Sequence, residues 1–296
     1  MAFSHALKAK DSCNYCTMPA AAMVASKPLI PTQDFWLGIL RKPSESGFGG
    51  FSVISRRHSQ EGIADVHTFV DLMEMSMRMA LFSAYTSGLG GAKISVAVGD
   101  REAHLRSTVL PRRLNSDGSK VSVAYENAVE MLSSFPAQGG QLSQPCNINA
   151  LCTKRRDSFC DGSVSYGDQV IMEQEGVAAI VNKFPESSIH LLVITVEHQR
   201  WELMPDDLAR SMYKVAYGFV PKALSMAVAS SKAPKTGTIV LNIGTSQTED
   251  HPHIHLIAGV PSHGRNVGDH ELVAYKSADG LSGLQMREAV ASLKRA

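Results

Sequence analysis

No apolar run in the chain approaches the roughly 20 residues that a bilayer-spanning helix needs. The opening residues, Met-Ala-Phe-Ser-His-Ala-Leu-Lys-Ala-Lys, lack the apolar stretch of a secretory signal. Charge of one sign is missing too. The 29 Lys and Arg residues nearly balance 28 Asp and Glu, for a net charge of +1, so composition gives no case for nucleic acid or an anionic membrane as partner. Cysteine is scarce and odd in number, five in all with a single Cys-x-x-Cys pair at Cys13 and Cys16. That argues against a disulfide framework and for a reducing, cytoplasmic setting, where the close pair calls for a metal. What is present is an ordinary core composition, 44% hydrophobic and 19% charged over 296 residues, long enough for two domains.

Two stretches follow the same plan. In the first, an apolar strand from Gly50 to Ser55 ends in Arg56-Arg57-His58. Val66, Phe69, Val70, Met73, Met77 and Leu81 then recur at helical spacing, and the glycines at 88, 90 and 91 stop that helix. A strand from Lys93 to Val98 leads through a polar loop to His104-Leu-Arg106-Ser-Thr108. The second stretch repeats the order. A strand from Ile189 to Val196 precedes Glu197-His198, and Pro205-Asp206-Asp207 opens a helix towards Ser230 that Pro221 should kink or break. A strand from Thr238 to Leu241 then leads to His251-Pro-His253-Ile-His255. Between the copies, Pro136 to Pro145 is turn-rich and reads as linker. The expected division is 1–135, a linker at 136–150, and 151–296. The expected fold class is α+β, with an antiparallel sheet and a long helix in each half.

His251, His253 and His255 alternate with Pro252, Ile254 and Leu256. On an extended strand that spacing turns three imidazoles to one face. Neutral imidazole serves both as a metal ligand and as a nucleophile, so the cluster suggests either a metal site or phosphoryl-type chemistry.

The segment Asn242-Ile-Gly244-Thr-Ser246-Gln247-Thr248-Glu-Asp-His251-Pro-His253-Ile-His255 resembles the histidine-triad signature, with Ser246 where the family's turn begins with glycine. Upstream, Asn182 to Gln199 resembles the matching segment of the diadenosine tetraphosphate phosphorylases and galactose-1-phosphate uridylyltransferases, which carry Gln at the position of His255. The resemblance implies a tandem pair of histidine-triad units forming an intramolecular pseudo-dimer. It also implies a nucleotidyl hydrolase or transferase acting on a nucleotide or nucleotide conjugate. By that mapping His253 is the nucleophile, His255 faces the leaving group and His251 completes the triad. Asn182, Lys183, Asn242, Gln247 and Thr248 would contact substrate. A backbone carbonyl would fix the His253 tautomer. Homodimers are compatible with this reading. Two rivals stand beside it: a nucleotide-binding module without turnover, and a fold recruited to other small-metabolite chemistry with the histidines as acid, base or metal ligands.

The same resemblance implies a structural zinc in the first half, held by Cys13, Cys16, His58 and His104. It puts Arg106 and Thr108 where the second half has His253 and His255. Arginine keeps its proton and is no nucleophile, so the first half is expected to be catalytically silent.

Overall fold

The computed structural model describes residues 29–40, 49–57, 65–99, 104–136, 167–228, 236–261 and 282–295. Cys13, Cys16, His58 and all of the expected linker beyond Pro136 lie outside these residues. The fold is α+β, built of antiparallel strands and a few helices, and it divides into two compact units.

In the first unit β1 (Leu29–Pro31), β2 (Phe35–Ile39), β3 (Phe51–Ser55), β4 (Gly91–Gly99) and β5 (Arg106–Leu114) pair in the order β1-β2-β3-β5-β4. A short β6 (Lys120–Ser122) adds to β5. Helix α1 (Val66–Thr86) packs on β3, β4 and β5. It starts where expected because Asp65 caps it, accepting from the backbone N–H of Thr68 at 3.0 Å and from its hydroxyl. Phe69, Leu72, Met73, Ser76 and Met79 form its buried stripe, and Ser76 bonds the Ser107 hydroxyl on β5. Since side chains alternate along a strand, Ser107 faces the helix and Arg106 and Thr108 face the opposite side. A second helix, α2 (Tyr125–Ser134), lies near β2.

In the second unit β7 (Val170–Gln174), β8 (Val177–Val181), β9 (Ser187–Thr195), β10 (Thr236–Gly244) and β11 (His253–Pro261) pair in the order β10-β11-β9-β8-β7. The long helical pattern breaks, as Pro221 requires, into α3 (Asp206–Gly218) and α4 (Val220–Val228). Proline then occupies the first turn of α4, where no helical N–H is missed. Both helices pack on β9 and β11, and α5 (Gly283–Arg295) packs on β7 and β8. No helix among the described residues is long and apolar enough to cross a membrane.

The two registers coincide. Ile54 pairs with Arg106, and Ser52 with Thr108, across β3 and β5. Ile194 pairs with His253, and Leu192 with His255, across β9 and β11. On the other flank, Ser95 opposes Thr108 as Val240 opposes His255. Aligned at their first residues, Arg106 and His253, β5 and β11 share these flanking pairs, and on that alignment Thr108 stands at the station of His255.

One assignment differs from expectation. Residues Ile243–Gln247 belong by sequence to the second half, yet they cluster with the first unit. The reason is hydrogen bonding: Thr245 N–H donates to Gly90 O at 3.0 Å, its hydroxyl donates to Leu89 O at 2.7 Å, and Leu114 N–H donates to Thr245 O at 3.1 Å.

Asp65 gives the first test. Replacing it with alanine should cost about 1 kcal/mol, the usual value of an N-cap. Its carboxyl is held below the ordinary range, first by the Thr68 hydroxyl and then by the helix-end amides. A depressed carboxylate stabilises the fold above its unfolded pKa and loses that contribution as pH falls through the folded value. Chemical denaturation of the wild type and Asp65→Ala should therefore converge in acid and diverge towards neutrality. A gap that persists unchanged at low pH would contradict the cap.

Candidate functional site

The triad strand does not begin at the first histidine. Pro252 has no N–H to give a ladder, and β11 starts at His253. His251 is instead buried beside the end of β9, its Nε2 2.8 Å from the Thr195 carbonyl and 3.0 Å from the Thr195 hydroxyl. The His198 ring meets it edge-on, with centroids 5.7 Å apart. The first unit repeats this tie: buried His104 has its Nδ1 2.8 Å from Ser55 O, at the last residue of β3.

With His251 pinned, its carbonyl is turned to the next histidine. His253 Nδ1 donates to His251 O at 2.7 Å. A ring that carries its proton on Nδ1 has its lone pair on Nε2, so the backbone sets the tautomer. His253 is buried at 4% exposure, so its orientation is fixed by its surroundings as well as by this bond.

His255 sits edge-on to His253, with ring centroids 4.8 Å apart. Its Nδ1 lies 2.9 Å from His190 Nε2. The backbone N–H of Glu186 donates to His190 Nδ1 at 3.1 Å, which makes that nitrogen an acceptor and leaves the His190 proton on Nε2. His190 Nε2–H therefore donates to His255 Nδ1, and the His255 proton resides on Nε2. One backbone amide thus sets two successive tautomers. Burial holds the His190 pKa down at about 3, helped by the repulsive proximity of His253, so the ring is neutral.

His190 is the functional candidate that sequence reasoning missed. It stands in the segment that carries the resemblance, and its alternation with Leu192 and Ile194 on β9 was the available signal. The register places Leu192 opposite His255 and Ile194 opposite His253. The same two residues pack with Ala178 and Ile180 in a buried apolar cluster, so the histidine row borders a dry wall.

The remaining candidates are placed as follows. Asn182 joins the cluster, with its Nδ2 within 3.2 Å of the His190 ring and its Oδ1 accepting from the Phe184 N–H at 2.9 Å. Lys183 is exposed, its Nζ 5.7 Å from the centroid of the Phe184 ring. Asn242 is half-buried on β10, next to Leu241, which pairs with Ile254. Gln247 is buried in the turn closed by its N–H to Gly244 O at 3.0 Å, and Thr248 is exposed. Among the described residues no group of three or more His, Cys, Asp or Glu side chains is arranged to hold a metal.

The family model described as HIT domain matches residues 165–261. No curated protein sequence matches the chain. Among solved structures, an ADP-glucose phosphorylase of Arabidopsis thaliana with bound ADP-glucose aligns at a TM-score of 0.56 and 11% identity, covering 96% of this chain and 91% of that one. A GalT-like protein of Arabidopsis thaliana aligns at 0.55 and 12% identity, over 96% and 92% of the two chains. A uridylyltransferase aligns at 0.50 and 12% identity, over 90% and 85%. At these identities the likeness is one of fold.

The neutral His190 makes the site sensitive to acid. Its folded pKa is depressed from 6.5 to about 3, so below pH 6.5 the unfolded chain takes up a proton that the folded chain refuses. Stability should fall with pH across that window, by at most about 1.4 kcal/mol per unit from this residue. Nitrogen-15 spectra should show His190 as the Nε2–H tautomer throughout the window, and His190→Gln should flatten the slope. A histidine that titrates near pH 6.5 at this position would contradict the chain of tautomers.

Proposed function

We propose that the second unit, whose residues 165–261 match the HIT domain model, transfers a nucleotidyl group from a phosphoanhydride or activated phosphate, with His253 as nucleophile. The observation that carries this reading is the 2.7 Å bond from His253 Nδ1 to His251 O, which leaves Nε2 as the lone-pair nitrogen. Attack by Nε2 on the α-phosphorus forms a P–N bond and breaks the P–O bond to the leaving group. A phosphate leaving group departs as an anion and needs no proton, so the neutral His255 acts by donating its Nε2–H to the departing oxygen. Water or a second acceptor then attacks the same phosphorus and releases its proton to bulk solvent, and the P–N bond breaks with its electron pair returning to Nε2, leaving His253 neutral.

Gln247 and Thr248 contribute neutral donors to phosphate oxygens in this scheme, with Asn242 and Lys183 as further contacts. The Asn182 amide is engaged with His190 and the Phe184 backbone, so its contribution is to hold the histidine pair as well as to face substrate. His251 acts through its carbonyl. The substrate class is a nucleotide joined to a second group through phosphate. Nucleotide sugars come first, since a protein of like fold was solved with ADP-glucose bound. The first unit has arginine at the nucleophile's station and takes no part in bond-making.

The test is a panel of nucleotide sugars, dinucleoside polyphosphates and nucleoside phosphoramidates, read by released mononucleotide and by the mass of a trapped nucleotidyl-enzyme. The label should fall on His253 alone. His253→Ala should lose turnover by orders of magnitude while keeping its fold. Activity above a few per cent in that variant would remove His253 from the role. Tight binding of a nucleotide without any turnover would favour a binding module.

For the first unit we propose a structural zinc held by Cys13, Cys16, His58 and His104. His104 supports this: its Nδ1–H is engaged by a backbone carbonyl, the usual outer-shell partner of a histidine that ligates through Nε2. Two thiolates and two imidazoles suit a tetrahedral zinc site. Purified protein should carry close to one zinc per chain, and Cys16→Ser and His104→Ala should lose it along with part of the thermal midpoint. Zinc absent from the wild type, or fully retained in both variants, would refute the site.

A further inference from the structure

The turn Ile243–Gln247 leads towards the triad strand and carries Ser246 at the first position of the run Ser246-Gln247-Thr248, where the resembled family's pattern has glycine. That departure has a partner. Arg112 Nε donates to Ser246 Oγ at 2.7 Å, and Ser246 is buried at 2% exposure. Arg112 is half-buried on β5, two residues before Leu114, whose N–H bonds Thr245 O. On the other side of the turn, Gly244 at φ +52 lies so close to Gly90 that a Cβ would stand 2.1 Å from its carbonyl oxygen. The turn's own bonds, Ser246 N–H to Ile243 O and Gln247 N–H to Gly244 O, complete the frame. Backbone bonds hold Thr245 from both sides, and the guanidinium holds the next residue through its side chain.

We propose that Arg112 is a positioning residue for this turn: by gripping Ser246 it fixes the backbone that presents Gln247. A glycine at the first position could not receive such a bond, so the serine and the arginine form one device. The consequence for turnover rests on the phosphate role given above to Gln247. The grip itself does not.

The experiment uses the full chain as wild type, Arg112→Gln, Arg112→Lys, Ser246→Ala and the Arg112→Gln/Ser246→Ala double variant. Amide hydrogen exchange is followed in peptides covering 243–248 and in peptides covering β9. Turnover of ADP-glucose and of diadenosine tetraphosphate is measured alongside. In both single variants exchange at 243–248 should rise while β9 stays as in the wild type. Wherever a probe is turned over, kcat should fall about tenfold, the scale of one lost charge-assisted hydrogen bond, with KM changing less. The double variant should be no worse than the worse single one, because both changes break the same bond. Arg112→Lys, which keeps a donor, should recover part of both readouts. Exchange at 243–248 that is unchanged in either single variant, or losses that add in the double variant, would overturn the proposal. If neither probe is turned over, the exchange data decide it alone. A wild type active on a probe and an Arg112→Gln variant equally active would overturn it while leaving the role of His253 intact.

Discussion

A neutral imidazole is basic and nucleophilic only at the nitrogen that lacks a proton, so whatever the histidine row does depends on where the imidazole protons reside. Here the backbone decides. The His251 carbonyl takes the proton of His253 Nδ1, and the Glu186 amide, by occupying His190 Nδ1, sends a donor to His255 Nδ1. Backbone groups suit this task because they do not titrate, and these two stand just before the strands β11 and β9. The cost is that His190 must remain neutral in a buried place. Desolvation supplies that neutrality, with the nearby His253 as the second cause.

The same logic explains why the histidine row sits at one strand pair. Cross-strand partners on one face lie about 4.5–5.5 Å apart at Cβ, close enough for neighbouring rings to touch. Leu192 opposes His255, and His190 lies one alternate position further along β9, within reach diagonally. Shifting the register by one residue would turn every imidazole to the helix-covered side. Both faces of the pair are therefore informative: Ile254 and Leu256 are buried on one, and the histidines line the other.

Much of this was legible in the sequence, for reasons that particular elements make plain. The first helix was legible because its apolar spacing and its glycine stop agree. The break in the second was legible because proline forbids its continuation. The repeat register was read by matching His104 with His251, and each of these histidines is tied to the carbonyl of the last residue of a strand, Ser55 and Thr195. The short β1, β2 and β6, the β7–β8 hairpin and α2 carry weaker signals, since short strands depend on their neighbours more than on intrinsic preference. His190 escaped because a lone histidine within an apolar strand reads as core until its partner on another strand is known. The attachment of Ile243–Gln247 to the first unit escaped for a related reason. It rests on carbonyls of Leu89 and Gly90, and backbone carbonyls carry no residue-specific signal.

On that alignment the first unit differs from the second beyond the arginine at position 106. The station of His190 is occupied there by Gly50, where a Cβ would come within 2.5 Å of the Leu110 side chain and 2.8 Å of that of Leu40. Two leucines thus fill the space that an imidazole takes in the other unit. The station of Leu192 is held by Ser52, whose buried hydroxyl has no hydrogen-bond partner among the described residues, and that of His255 by Thr108. Restoring histidine at position 106 alone would supply a ring without the neighbour that sets its companion's proton. The tautomer chain needs an imidazole at the Gly50 station, and the leucines exclude one. Packing at the Gly50 station, as well as the arginine at position 106, separates the two units.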